Sequence, residues 1–384
     1  MPADEDESVE AAPEGPLRRG WTTGACAAAA TKAAYAALVT GEFPDPVEIT
    51  LPRGERPAFA LATHRKQSGA ATAGIVKDAG DDPDVTHGAL VLATVRPGAP
   101  GAGVTFRAGE GVGTVTRPGL VLPPGEPAIN PVPRRMIRAA IEEVAAACGA
   151  AGDVEVEIAI PGGEALAART VNGRLGIVGG LSILGTTGIV VPYSCAAWIH
   201  SIHRGIDVAR AGGFDHVAGS TGATSEQAVR ALYRLPDVAL IDMGDFVGGM
   251  LKYLRNHPIA RVTIAGGVAK MTKLAQGMLD LHSKRGAVDL LALAEVATAS
   301  GGSSALAERI AGANTAAQAF ADARAQGIAL GDAIAAAAWQ TAARVVVDTA
   351  ISVEIILFDR DGKLAGRAPF RPAHDAAPSR KRRR

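Results

Sequence analysis

His216–Leu235 reads HVAGSTGATSEQAVRALYRL, and the same order of parts recurs in Asp237–Asn256, DVALIDMGDFVGGMLKYLRN, and in Ala260–His282, ARVTIAGGVAKMTKLAQGMLDLH. Each begins with a short apolar run, passes through a Gly-rich turn and continues as an amphipathic stretch of helical period. The connections are too long for hairpins, so three successive strand–loop–helix units imply parallel pairing with right-handed crossovers. Ligands of such a sheet bind beyond the carboxyl ends of its strands, at the loops that enter the helices. Here these are Gly219–Gly222 (GSTG), Asp242–Phe246 (DMGDF) and Ala265–Lys270 (AGGVAK). Glycine lets a ligand reach backbone N–H groups, and a helix N-terminus favours negative charge.

These loops make Gly219, Ser220, Thr221, Gly222, Asp242, Gly244 and Asp245 the candidate cofactor-binding residues. Asp242 follows the first loop at about the spacing where nucleotide-binding folds place a ribose carboxylate. The pattern G-x-x-x-x-G-K-[ST] is absent, as is a strict G-x-G-x-x-G after a strand. S-adenosylmethionine fits glycine loops with a ribose-binding acid and no pyrophosphate cradle, although spacing alone does not choose it. Each loop read singly is equally well a tight turn.

Outward from this core, the region from Asp289 to about Val347 is alanine-rich and helical, and SVEIILFDRDGKLAGRA (Ser352–Ala368) reads as a strand, a turn and a return strand. The first half has another rhythm. Thr22-Thr23-Gly24 precedes an alanine-rich helix ending near Gly41, and a second helix runs over Pro133–Ala147. Between and after them lie short strand-like runs such as ALVLATV and the alternating DVEVEIAI of Asp153–Ile160. The fold class expected is therefore α/β plus α+β in two domains. An acidic disordered tail occupies 1–16 and an α+β domain 17–170. A Rossmann-like parallel-sheet domain with C-terminal helices and strand covers 171–367, and a basic disordered tail 368–384. The domain boundary is expected near residues 165–175.

The 384 residues carry 39 bases and 39 acids, which leaves no global field to draw nucleic acid or a membrane surface. Cys26, Cys148 and Cys195 are too few and too dispersed for a disulfide framework, and the N-terminus lacks a signal-peptide pattern, so a cytoplasmic setting is expected. The charge-free run Leu175–Ser194, LGIVGGLSILGTTGIVVPYS, holds five glycines. A packed strand has little use for so many, and the hydroxyl groups and Pro192 disfavour a membrane span. Either a ligand lies against this backbone, with Gly185 and Gly188 keeping the approach open and Thr186 and Thr187 bonding to it, or neighbouring backbone packs there. Lys77–Gly88, KDAGDDPDVTHG, gathers five Asp/His side chains without matching a Ca²⁺ loop and reads as a solvated turn. His200 and His203 share a helix face but lack a third ligand, so no protein metal site is expected.

Several long stretches together resemble the cobalt-precorrin-5B C1-methyltransferase family of anaerobic cobalamin biosynthesis. They are RRGWTTGACAAAATKAA (Arg18–Ala34), KDAGDDPDVTHG, GEGVGTVTRPGLVLPPGEPAINPVPRRMI (Gly109–Ile137) and IPGGEALAARTVNGRLGIVGGLSILGTTGIVVPYS (Ile160–Ser194). The resemblance runs from Leu17 to about Ser300, and the final eighty or so residues carry little of it. One departure concerns AGGVAKMTKLAQG, where many members have a histidine and a further glycine at the positions of Gly267 and Ala269. Lys270 and Lys273 are taken as the useful residues of that loop.

The resemblance implies methyl transfer from S-adenosylmethionine to C1 of cobalt-precorrin-5B, giving cobalt-precorrin-6A. The cobalt arrives inside the substrate, a tetrapyrrole bearing acetate and propionate groups. These should meet cations, hydroxyls and backbone N–H groups. Thr22, Thr23, Gly185, Thr186, Thr187, Gly188 and Lys270 are the substrate-binding candidates, with Arg19, Lys32, Arg134, Arg135 and Lys273 beside them. No catalytic residue is singled out, since the nucleophile is the macrocycle itself. A non-catalytic tetrapyrrole-binding protein and a nucleotide-dependent phosphotransferase are the competing readings. The sequence leaves a homo-oligomer open.

Overall fold

An alanine-rich segment that begins Thr22-Thr23-Gly24 makes a helix buried on nearly every face. In this computed structural model, which describes residues 15–376, the helix spans Thr23–Thr40. The Thr22 hydroxyl caps it by accepting from Ala25 N at 3.2 Å, and Gly41 ends it in the left-handed region. Small side chains let backbone approach backbone. The helix packs with Ala71, Ala73 and Ala93 of a five-stranded sheet in one core cluster, which also takes in Ile137 and Ile141 of the helix Pro131–Cys148. That sheet is ordered Thr63–Gln67, Ala70–Val76, Leu90–Pro97, Val154–Ala159, Val104–Ala108. All its pairs are antiparallel except the last, Val104–Ala108 beside Val154–Ala159.

The described residues divide into two units. One comprises 15–117 and 121–194, the other Pro118–Leu120 together with the chain from Cys195 onward. The division at Ser194/Cys195 falls later than residues 165–175, because the glycine-rich run is tied by ladders to the first unit. Gly20 pairs with Val190, Trp21 with Ile189, and Ile177 with Val115.

The second unit holds its own five-stranded sheet, ordered Leu240–Asp242, His216–Ser220, Arg261–Gly267, Ser352–Phe358, Leu364–Pro372. The first four strands are parallel, and the last returns antiparallel through the turn at Asp361-Gly362. Helices Ala223–Tyr233, Val247–Asn256 and Val268–Ala275 follow the first three strands in chain order. Val229 of the first of these helices belongs to a small cluster with Ala218, Leu240 and Ile356. Met250, Leu251 and Leu274 of the other two belong to the main core. Four further helices between Leu290 and Val345 fill the connection to Ser352–Phe358. Residues 368–372, read from sequence as tail, lie in the last strand, where Pro372 pairs with Ser352 and buried Ala373 donates N–H to Ile351 O at 2.9 Å. Residues Ala373–Ala376 follow it as a short 3-10 turn, and 1–14 and 377–384 fall outside the described residues.

The strand order creates a switch point. From His216–Ser220 the chain moves to one neighbour, Leu240–Asp242, and then crosses back to the other, Arg261–Gly267. The first crossover helix and the second therefore cover opposite faces, and in sheets of this topology the crevice that takes a ligand lies at the carboxyl ends of the two strands between them.

Candidate functional site

Ser220, Asp242 and Ala265 stand in one row across the sheet, so the three glycine loops leave it side by side. Lys270 binds them together. Its Nζ donates to Thr221 O at 3.0 Å and pairs with Asp245 at 3.1 Å, and it thereby joins the first, second and third loops. Thr221 N–H donates to Ala265 O, and Met243 and Gly244 N–H both donate to Ser220 O. The loops thus hold one another in place, as a site needs before a ligand arrives.

The glycines of these loops do different work. A side chain at Gly219 would overlap the sulfur of Met250, and one at Gly266 would meet Thr221 Oγ1 at 2.8 Å, so both are required by packing inside the protein. Gly219 was expected to admit a cofactor, and its backbone instead makes room for buried methionines. Gly244 has φ +52°, and a Cβ there would lie 3.2 Å from the Trp198 indole. Gly222 and Gly267 have no such reason. Gly222 is extended at φ 166° and Gly267 has φ −67°, values open to any residue, and nothing lies within 4 Å of where their Cβ atoms would be. They are the cap residues of the helices Ala223–Tyr233 and Val268–Ala275, which follow the two strands that flank the switch point. Neither helix has a side-chain cap, nor does Val247–Asn256, whereas Asp289, Ser303 and Thr315 cap helices elsewhere in the same unit. The Ser220 hydroxyl beside them is buried without a hydrogen-bond partner. Uncapped N–H groups, two side-chain-free openings and an unsatisfied hydroxyl together form a cradle for a polar or anionic group. Asp242 is exposed at its strand end, and its carbonyl accepts from Trp198 Nε1 at 3.1 Å.

The residues expected to bind substrate fare differently. Thr22 caps its helix, and the Thr23 hydroxyl donates to Leu184 O at 3.3 Å and accepts from Leu184 N–H at 3.1 Å. Both are buried. A side chain at Gly185 would overlap Thr22, and one at Gly188 would overlap Leu51. Gly180 lies equally close to the Gly111 backbone. For these glycines the neighbour is the protein's own chain, a long-range contact that no local pattern could reveal. Thr187 bonds to Ile189 of its own turn, while Thr186 is exposed. Lys32 is held by Glu48 O and Glu143, Arg134 by Ile129 O and Glu126, and buried Lys273 by Leu281 O. Lys273 therefore serves the fold. Arg19 and Arg135 are exposed.

The acidic turn is an internal lattice. Buried Lys77 pairs with Asp84 at 2.6 Å, Asp82 accepts from Tyr193 N–H at 2.8 Å, and Asp81 accepts from Arg18 N–H at 2.6 Å. Asp78 faces the Arg18 guanidinium, which with the Gly80 N–H pulls its carboxyl down to about 2. His203 stacks on Tyr253 at 3.9 Å, and burial lowers its pKa. Among the described residues no group of three or more His, Cys, Asp or Glu is placed to hold a metal, and no helix is long and apolar enough to cross a membrane.

Sequence reasoning missed Trp198, the strand order and a cavity of about 590 Å³ lined by Val268, Phe320, Arg324, Ile328, Asp332 and Asp361. All three depend on chain segments far apart in sequence.

Known proteins resemble this chain over most of its length. Residues 10–192 match the family model CbiD, and residues 280–369 match the model for the CbiD C-terminal domain. The second match corrects the expectation that the final eighty residues carry little of the resemblance. A protein of Agrobacterium fabrum named cobalt-precorrin-5B C(1)-methyltransferase is 66% identical over 363 residues, 94% of this chain and 96% of its own. One of the same name from Bradyrhizobium sp. is 65% identical over 92% of this chain and 94% of its own. A crystal structure from Archaeoglobus fulgidus, described as a cobalamin biosynthesis protein (cbiD), is 27% identical, covers 71% of this chain and 84% of its own, and gives a TM-score of 0.39.

Proposed function

The chain belongs to the CbiD family, and from that membership we infer that it performs the reaction its relatives are named for, methylation of cobalt-precorrin-5B at C1. It is an enzyme, a C-methyltransferase acting on a small cobalt tetrapyrrole. S-adenosylmethionine is the methyl donor that such an activity implies, and it supplies an electrophilic methyl on a positively charged sulfur.

We propose the switch crevice of the second unit as the donor's site. The observation that supports this is the pair Gly222 and Gly267, whose absent side chains answer to nothing inside the protein. Uncapped N–H groups of the helices Ala223–Tyr233 and Val268–Ala275 would take the donor's carboxylate. Asp242 would accept from the ribose hydroxyls, and the Ser220 hydroxyl would gain the partner it lacks. Asp245 and Lys270 keep the loops in register. The residues' task is chiefly to orient two reactants in line, and positioning of that kind supplies about 7–11 kcal/mol of a barrier.

The test is calorimetric titration with S-adenosylhomocysteine, with ATP–Mg²⁺ as control. A Cβ at Gly222 or Gly267 meets nothing within 4 Å and needs no strained backbone, so Gly222→Val and Gly267→Val should each fold and lose at least tenfold in affinity for S-adenosylhomocysteine. Full affinity in both variants would move the site elsewhere. Tight binding of ATP–Mg²⁺ in place of the adenosyl ligand would contradict the donor assignment.

A further inference from the structure

Trp198 is a large aromatic side chain left 46% exposed, whereas Trp339 is fully buried and Trp21 half-buried. An exposed single apolar residue is ordinary, but this one is also immobilised. Its Nε1 donates to Asp242 O at 3.1 Å, and its ring lies against the Gly244 turn, where a Cβ would come within 3.2 Å of it. Phe246 of the same loop is tilted toward it, with ring centroids 6.4 Å apart. The second glycine loop thus holds the indole by its edge and presents the rest of it to solvent. A hydrogen-bonded, pre-set flat ring loses little freedom on meeting a second flat ring, which is what makes aromatic platforms effective.

We propose that Trp198 is a positioning residue on which the conjugated face of the tetrapyrrole substrate stacks. This deepens the methyltransferase reading and rests on it. Gly244 then has two reasons to be glycine, its positive φ and the clearance it gives the indole. The polar contacts of the crevice recognise the donor. The indole recognises the one property those contacts ignore, the extent and flatness of the macrocycle.

Cobyrinic acid, a cobalt corrin with free carboxylates, serves as the probe. Titrated into the full chain, it should quench tryptophan fluorescence strongly. In Trp198→Phe most of that quenching should disappear while cobyrinic acid affinity falls only about twofold, and in Trp198→Ala affinity should fall about tenfold. With cobalt-precorrin-5B, Trp198→Ala should raise KM about tenfold and leave kcat within about threefold, and Trp198→Phe should restore most of the KM. Affinity for S-adenosylhomocysteine should stay within twofold of wild type in both variants. Wild-type kinetics in Trp198→Ala would overturn the stacking role and leave the activity intact. Loss of S-adenosylhomocysteine affinity in Trp198→Ala would assign the indole to adenine and overturn the proposal. A wild-type chain unable to methylate cobalt-precorrin-5B would overturn the activity reading itself.

Discussion

Replacing Lys270 by Met keeps the apolar stem and removes only the ammonium that joins the three loops. Two contacts go: the N–H to Thr221 O at 3.0 Å and the ion pair to Asp245 at 3.1 Å. Lys270 is 39% and Asp245 20% exposed at the side chain, so solvent screens the pair, and the attraction itself contributes about 0.5–1 kcal/mol. The larger cost lies in what remains. Asp245 Oδ1 is buried and makes no hydrogen bond, so without Lys270 it becomes an uncompensated charge at a cost of about 1–3 kcal/mol. The sum centres on about 3 kcal/mol, which in a unit of this size lowers Tm by about 6–12 °C. Differential scanning calorimetry of Lys270→Met, Asp245→Asn and the double variant checks this. Asp245→Asn in the Lys270→Met background removes the orphan charge and should recover more than half of the lost stability. Affinity for S-adenosylhomocysteine should fall in Lys270→Met, because the Thr221 and Asp245 loops are released from one another. Strictly additive stability effects, or a Lys270→Met variant with unchanged Tm and ligand affinity, would refute the claim that this lysine organises the site.

Other consequences follow from the same structure. Gly331 lies against the Ala365–Gly366 backbone with no space for a methyl group, so Gly331→Ala should destabilise by about 3 kcal/mol or more in urea unfolding. Fully buried Glu354 accepts from Thr263, Tyr233 and Arg367. Glu354→Ala leaves the Thr263 and Tyr233 hydroxyls without their acceptor, while Arg367, more than a third exposed, turns to solvent, and it should cost about 1–3 kcal/mol by the same assay. Asp78 titrates near 2 when folded because of Arg18, below its unfolded value near 3.8, so it stabilises the fold above about pH 4 and loses that contribution as pH falls through 2. Asp78→Asn should accordingly flatten the acid-unfolding profile between pH 4 and 2. Burial pushes the Cys26 thiol up to about 12, while Cys148 and Cys195 are exposed. A thiol-reactive chromophore at pH 8 should therefore count two cysteines in the native protein and three in denaturant.

The periodic elements were legible because their causes are local. Alternation, helical period, the Thr22 cap and the three strand–loop–helix repeats each depend on neighbours a few residues away. The resemblance to a methyltransferase family was legible too, since long ordered motifs persist without any knowledge of contacts. Tertiary structure decided which glycines are openings and which are joints. Gly185, Gly188 and Gly219 face Thr22, Leu51 and Met250, and Gly222 and Gly267 face nothing. No pattern in the sequence distinguishes the two kinds. A side chain is excluded by whatever atom stands opposite, and that atom comes from a distant segment. The switch point follows the same logic, because strand order arises from which edges pair after the crossovers have packed. Chemistry written along the chain therefore offered a set of glycine loops and acids, and only the approach of remote segments determined at which of those glycines a side chain would meet no neighbour.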